Sequence, residues 1–279
     1  MPTLPLVQSP REGQVYNEAR RHPTRGTSAK FTFFPPVAHI MNSLQIFLVV
    51  LTTATGALFQ GVTGLGLNLF ASPLLMMIQP RFIPGPIMVG ALLLVILMAL
   101  RDHSGLDLRG VAWMVLGMLP GTALASFLLP VIPVRTLSLL LGILVLLGVA
   151  LSLSGLHFPR HGWVLWVAGF VSGFGTTLAS IGAPPVALVN QELEPRRLRA
   201  TLSGYFFLSG IAALLGVFHA GRMGSAELSL SAWILPGVVL GFLCSALLIN
   251  KLNARTTRYT VLALSAGTAI ILILQQLLR

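Results

Sequence analysis

The sequence predicts an all-helical, polytopic membrane protein, and three observations carry that reading. Of 279 residues, 55% are hydrophobic and only 9% are charged, whereas an ordinary soluble domain carries about 25% charged residues. The charges fall in short gaps between apolar runs, most of them close to the ~20 residues needed to cross ~30 Å of hydrocarbon. Two of those runs are too long for one span, and each is interrupted by glycine, proline and polar residues.

The N-terminal stretch 1–40 is polar, contains proline and lacks periodicity, so it reads as a disordered tail. It has no short apolar region followed by a small-residue cleavage site, as a signal peptide would. Met41 opens MNSLQIFLVV, and the expectation is that Met41 is the physiological start, with residues 1–40 either not translated or a dispensable tail. From there the charges cut the chain into eight apolar blocks, roughly 43–79, 82–100, 110–133, 136–156, 162–190, 200–220, 228–249 and 259–278. At 1.5 Å per residue the first block would make a helix of about 55 Å and the fifth one of about 44 Å. A broken helix or a re-entrant hairpin accounts for both the length and the breaks.

The first break lies within Gly56–Pro73, in a run from Phe31 to Pro80 that holds no Asp, Glu, Lys or Arg. Gly61, Gly64, Gly66 and Pro73 weaken the helix there, while Gln60, Thr63, Asn68 and Ser72 put polar groups at depth. Backbone freed from helical bonding inside a bilayer must be buried in protein or line a wet cavity. The second break, near Gly173, has the same texture. Gly61 and Pro73 are twelve residues apart, as are Gly173 and Pro185. Gln79-Pro80-Arg81 is matched by Glu194-Pro195-Arg196, Leu119-Pro120-Gly121 by Leu235-Pro236-Gly237, and Arg135-Thr136 by Arg255-Thr256. Four matches in order indicate two duplicated modules of four blocks each, 41–157 and 158–279. Such paired, Gly/Pro-interrupted segments point to a transporter site between repeats. If each long block enters and leaves on one side, the repeats are inverted, and Lys and Arg beyond the tail divide nine against four between the two sides. If each crosses once, the repeats are parallel and the division is eight against five. The larger asymmetry favours inverted repeats.

The chemistry is defined by what the spans lack. Asp102, Asp107, Glu192, Glu194 and Glu227 all sit in loops or at span ends, so no central carboxylate offers to bind a cation or relay a proton. The breaks offer hydroxyls, amides and freed N–H groups instead, and helix N-termini favour anions. After Gly66 and after Gly182 an apolar helix resumes, so two half-helix N-termini could face one site. The candidate substrate-binding residues are Gly61, Thr63, Gly64, Gly66, Asn68 and Ser72 in the first break and Gly173, Thr176, Thr177 and Ser180 in the second. The bland alternative is that small and hydroxyl residues simply allow close helix packing.

The remaining residues exclude other classes. The net charge of +11 is not clustered on amphipathic faces with interleaved aromatics, so it does not indicate a nucleic-acid partner. Arg81, Arg196, Arg197 and Arg199 could attract an anion at a pore mouth, but they serve equally as topology determinants. Neither H-E-x-x-H nor G-x-S-x-G occurs, so no enzyme is expected. His157 and His161 have helical metal spacing, but Pro159 lies between them and no acid completes a site. No cofactor is expected. His219 reads as a packing or interface residue, and Cys244, the only cysteine, as a small hydrophobe packing in an apolar span. Trp113, Trp163, Trp166 and Trp233 lie near span ends and read as interfacial anchors.

The paired breaks FQGVTGLGLNLFASP and VSGFGTTLASIGAPP, each heading one of two modules, resemble those of the TauE/SafE family of sulfite-exporter-like membrane proteins, over about residues 43 to 278. The resemblance implies export of sulfite, an organosulfonate or another small sulfur-containing anion across a bacterial cytoplasmic membrane. Uptake of a similar anion, or a non-transporting membrane scaffold whose glycines are packing devices, are the alternatives. The implied partners are a small anion and the lipid bilayer, with a homo-oligomer left open.

Overall fold

Residues 41–101, 105–249 and 251–278 are described by a computed structural model. The polar N-terminal stretch 1–40, with the expectation about its disorder, lies outside the described residues.

The first long block begins where Asn42 caps a helix: Gln45 N–H donates to Asn42 Oδ1 at 2.8 Å, and Asn42 N–H donates to Gln45 Oε1 at 3.1 Å. This helix, α1 (Ser43–Thr63), ends at Gly64, whose left-handed φ of 81° only glycine adopts freely. The chain then folds back into α2 (Leu67–Ile78). A methyl group at Gly56 would lie 3.1 Å from Leu67 Cα, so the absence of a side chain there permits the reversal. A short 3-10 turn (Pro80–Phe82) leads into α3 (Gly85–Arg101), followed by α4 (Leu108–Leu128) and α5 (Val134–Leu153). The second long block forms α6 (Gly162–Ala179) and the six-residue α7 (Ala183–Leu188). Then come α8 (Pro195–His219), α9 (Ser225–Leu248) and α10 (Ala254–Leu277). No strand occurs among the described residues, and seven helices are long and apolar enough to cross a membrane. Among the described residues the eight apolar blocks thus become ten α-helices, because both long blocks break.

Several helices start earlier than the charge gaps suggest. Asp107 caps α4, Asn253 caps α10 and Pro195 opens α8, so Arg109, Arg196, Arg197, Arg199, Arg255 and Arg258 lie within first or second turns. Long arginine stems let a helix begin in the interface while the charged heads stay wet. Cys244 lies in α9 on the exposed surface of the bundle.

Contacts between helix ends fix the directions. At one face Arg101, ending α3, donates to the Gly61 carbonyl of α1 at 2.8 Å and to Ser245 Oγ of α9 at 3.4 Å. Arg258, in α10, donates to the Ser152 carbonyl of α5 at 2.7 Å. At the opposite face Arg81 lies 3.9 Å from Glu227, Arg222 donates to the Ile132 carbonyl at 2.7 Å, and Arg135 to the Gln276 carbonyl at 3.0 Å. The helices therefore alternate: odd-numbered ones run toward the first face and even-numbered ones away from it. That face carries Arg101, Arg109, Arg160, Arg196, Arg197, Arg199, Lys251, Arg255 and Arg258, against Arg81, Arg135 and Arg222 opposite, so we call it the basic face.

Packing crosses between the two parts of the chain. α1 seats most closely against α9, and α6 against α4, while α3 pairs with α8 and α5 with α10. The tight seams are made by small residues. Gly237 and Gly241 of α9 lie on the backbone of Val50 and Ala54, and Gly117 and Gly121 of α4 lie on the carbonyls of Trp166 and Phe170. Without a hydrophobic force between helices in lipid, such close approach is what dispersion requires.

Candidate functional site

The chain reversals after α1 and after α6 start from opposite faces, yet both reach one cavity. It is about 50 Å³ and is lined by Gln60, Gly66, Asn68 and Leu69 from the first break and by Thr176 and Ser180 to Pro184 from the second. Met88, Ala91, Leu92 and Val95 of α3, with Phe206, Ser209 and Gly210 of α8, complete the wall. By the measure that gives one water some 10–15 Å³, this space holds about four waters or one small anion. None of its lining residues is charged.

Each break is held by its own hydrogen bonds. Gln60 Oε1 accepts from Leu67 N–H at 3.0 Å, so a side chain of α1 satisfies the first orphan donor of α2. Gly66 precedes it with φ of 151°, and a methyl group there would lie 3.0 Å from Phe59 Cβ. Phe59 and Phe70 close the outside of this turn edge to face, with centroids 5.6 Å apart. In the second break Ser180 takes a left-handed φ of 62°, and its hydroxyl donates to the Pro84 carbonyl at 3.1 Å. Gly182 packs so closely on Thr176 Oγ1 and on Ser172 that a methyl group would overlap both.

Three polar atoms of the cavity-lining residues have no partner, Ser209 Oγ of α8 and one from each break. Asn68 Oδ1 and Thr176 Oγ1 are buried, and neither makes a hydrogen bond. Buried polar groups are satisfied in the great majority of cases, and an unsatisfied one costs about 1–3 kcal/mol. Both belong to residues of the cavity wall, where a ligand or water would complete them. The amide of Asn68 can present either its oxygen or its NH₂ group, and the threonine hydroxyl can donate or accept.

Of the ten residues predicted from sequence, Gly66, Asn68, Thr176 and Ser180 line the cavity. The other six lie elsewhere for separate reasons. Gly61 packs on Ser245, Gly64 caps α1, and Gly173 lies against Met118. Thr63 Oγ1 donates to the Leu65 carbonyl at 2.6 Å and borders a second, smaller cavity. Thr177 bonds back to the Gly173 carbonyl at 2.9 Å, and Ser72 is fully buried away from the cavity wall. Gln60, noted as a polar group at depth, was not among the ten, and Ser209 was unforeseen. An amide in the last turn before a glycine break is a signal that could have found Gln60. Ser209 carries no such mark, since it lies in a regular helix and joins the wall only through packing.

The expectation of two anion-attracting helix N-termini needs correction. α2 runs for 12 residues and offers the N–H groups of Asn68 and Leu69 in its first turn. α7 has only six residues, and Pro184 and Pro185 supply no N–H in its first turn. Of the first three residues of α7 only Ala183 has an N–H, so side chains such as Thr176 supply most donors on that side.

The second break is tied to the basic face by an ionic clamp. Arg160 donates to Asp107 Oδ2 at 2.6 Å and, through Nε and Nη2, to Asn190 Oδ1 at 3.1 and 2.8 Å. Asn190, fully buried just beyond α7, donates to the Val186 carbonyl at 2.6 Å. Burial would raise the pKa of Asp107, but bonds from Arg160 and from Gly110 N–H, with the charges of Arg160 and Arg197, outweigh it and hold the carboxyl below its ordinary value.

Among known proteins, the family profile described as Sulfite exporter TauE/SafE matches residues 48–272. No curated protein and no solved structure matches the chain.

Proposed function

The chain belongs to the TauE/SafE sulfite exporter family, and from that premise we propose that it exports a small anion, sulfite or a related sulfur oxyanion or sulfonate, through the cavity between its two helix breaks. The observation that carries this reading is the set of unsatisfied groups in the wall of one uncharged cavity, Asn68 Oδ1 and Thr176 Oγ1 from the two breaks and Ser209 Oγ from α8. A cavity without a carboxylate suits an anion better than a metal cation. An oxyanion there can accept from the Thr176 hydroxyl, the Asn68 amide and the first-turn N–H groups of α2, which carry the positive end of that helix. Neutral donors hold an anion less tightly than a buried cation would, and a transporter must also release its cargo. The size supports a substrate of a few heavy atoms.

The opposed directions of the two halves support inverted repeats, in which α1 to α5 and α6 to α10 correspond in order. The excess of Arg and Lys on the basic face supports its placement in the cytoplasm, where it would raise the local concentration of anions at the mouth. Export then runs from the basic face to the opposite one.

The test is sulfite and sulfonate flux in vesicles containing the purified protein, with Asn68→Ala and Thr176→Val as variants. Flux by the wild type that falls at least tenfold in both variants, at unchanged membrane levels, is the expected result. Absence of flux for every small anion tried, with assembly lost in the variants, would instead favour the scaffold.

A further inference from the structure

Toward the basic face from the central cavity lies a second one, only about 10 Å³, bordered by Thr63, Ser152 and Arg258. Three residues, Leu69, Ala183 and Pro184, line both cavities. They are therefore the wall between them, built from the first turns of α2 and α7. α5 backs this wall: a methyl group at Gly148 would lie 2.6 Å from Pro184 Cγ and 3.4 Å from Leu69 Cδ1. The space behind is too small for more than one water, so the wall is closed.

Arg258 stands behind it. The residue is half-buried, and its guanidinium donates once, to the Ser152 carbonyl at 2.7 Å. Among the described residues it makes no ion pair, and Asp107 and Glu227 are engaged by Arg160 and Arg81. Arginine offers five N–H donors in a planar fork that matches oxyanions, so most of its donors remain unused. A partly desolvated cation without a counter-charge is unfavourable, and an anion beside it relieves that cost.

We infer that Arg258 is a specificity-determining residue. It receives the small oxyanion on the basic-face side of a gate formed by Leu69, Ala183 and Pro184. The inference rests on the proposed transport of such an anion and names its route. A cation placed outside the gate, with a neutral cavity inside, selects for negative charge before the anion reaches the weaker hydrogen-bonding site.

Side-specific thiol labelling tests it. In a Cys244→Ser background, which removes the only native cysteine, Leu69→Cys and the milder Ala183→Cys are exposed from the basic face to two membrane-impermeant methanethiosulfonates, one a sulfonate and one a quaternary ammonium. Both thiols are expected to react, and added sulfite to slow the reaction. Adding Arg258→Gln should slow the sulfonate reagent by about tenfold, as removal of one nearby unit charge implies, while the ammonium reagent is not slowed. Arg258→Lys should retain part of the preference. Thiols that stay unreactive from that face overturn the inference, as does an Arg258→Gln variant that slows both reagents alike, the mark of a structural role. Unreactive thiols in vesicles that still transport would remove the route alone. Reactive thiols in vesicles that carry no anion would remove the transport reading.

Discussion

Thr176 makes the sharpest prediction at the scale of a single residue. Its hydroxyl is buried without a partner, so replacing it by valine, which has the same shape, removes an unsatisfied group without leaving a void. Thr176→Val is expected to raise thermal stability by about 1 kcal/mol while lowering flux, measured as a melting shift in detergent beside vesicle transport. Stability lost for function is the usual sign of a binding site. Gly182→Ala should act in the opposite sense. Its methyl group would overlap Thr176 Oγ1 and Ser172, and such overpacking costs about 1–3 kcal/mol; melting and flux should fall together. Gly66, Asn68, Thr176 and Ser180 were legible in the sequence because each interrupts a charge-free run. Thr63, Thr177 and Ser72 have the same composition but face other ways, and composition carries no information about direction once a helix is broken.

At the scale of elements, the lengths of blocks 43–79 and 162–190 announced both reversals, whereas the difference between them was only partly legible. Pro184 and Pro185 were visible as letters, but α7 is short because Asn190 is pinned by Arg160 immediately after it, a contact thirty residues apart in sequence. The clamp predicts a pH dependence. Asp107 has a depressed pKa, so its contribution to stability is present above the ordinary carboxylate value near 3.9 and is lost as pH falls through its lower folded value. In acid-denaturation experiments read by melting temperature, Asp107→Asn should be less stable than wild type at pH 7, and the gap should close below about pH 4.

For the whole molecule, the alternating directions put the start of α1 and the end of α10 on the face opposite the basic one. A reporter that functions only outside the cytoplasm, fused after residue 279, should therefore be active, and one inserted between α5 and α6 should not be. The reverse pattern would refute the assigned orientation. Four matched motifs gave the expectation of duplicated modules, but which helix of one part meets which of the other was not legible, since partner choice is set by seams such as Gly237 and Gly241 against Val50 and Ala54. Those seams also set a timetable for biosynthesis. α1 meets α2 at once, but the side of α1 that seats on α9 has no partner until α9 emerges, more than 160 residues later, and at about 5–20 residues per second that is a delay of roughly ten to thirty seconds. During that interval the side of α1 that carries Val50, Ala54 and Gly61 waits in the bilayer, and the cell must keep other helices off it.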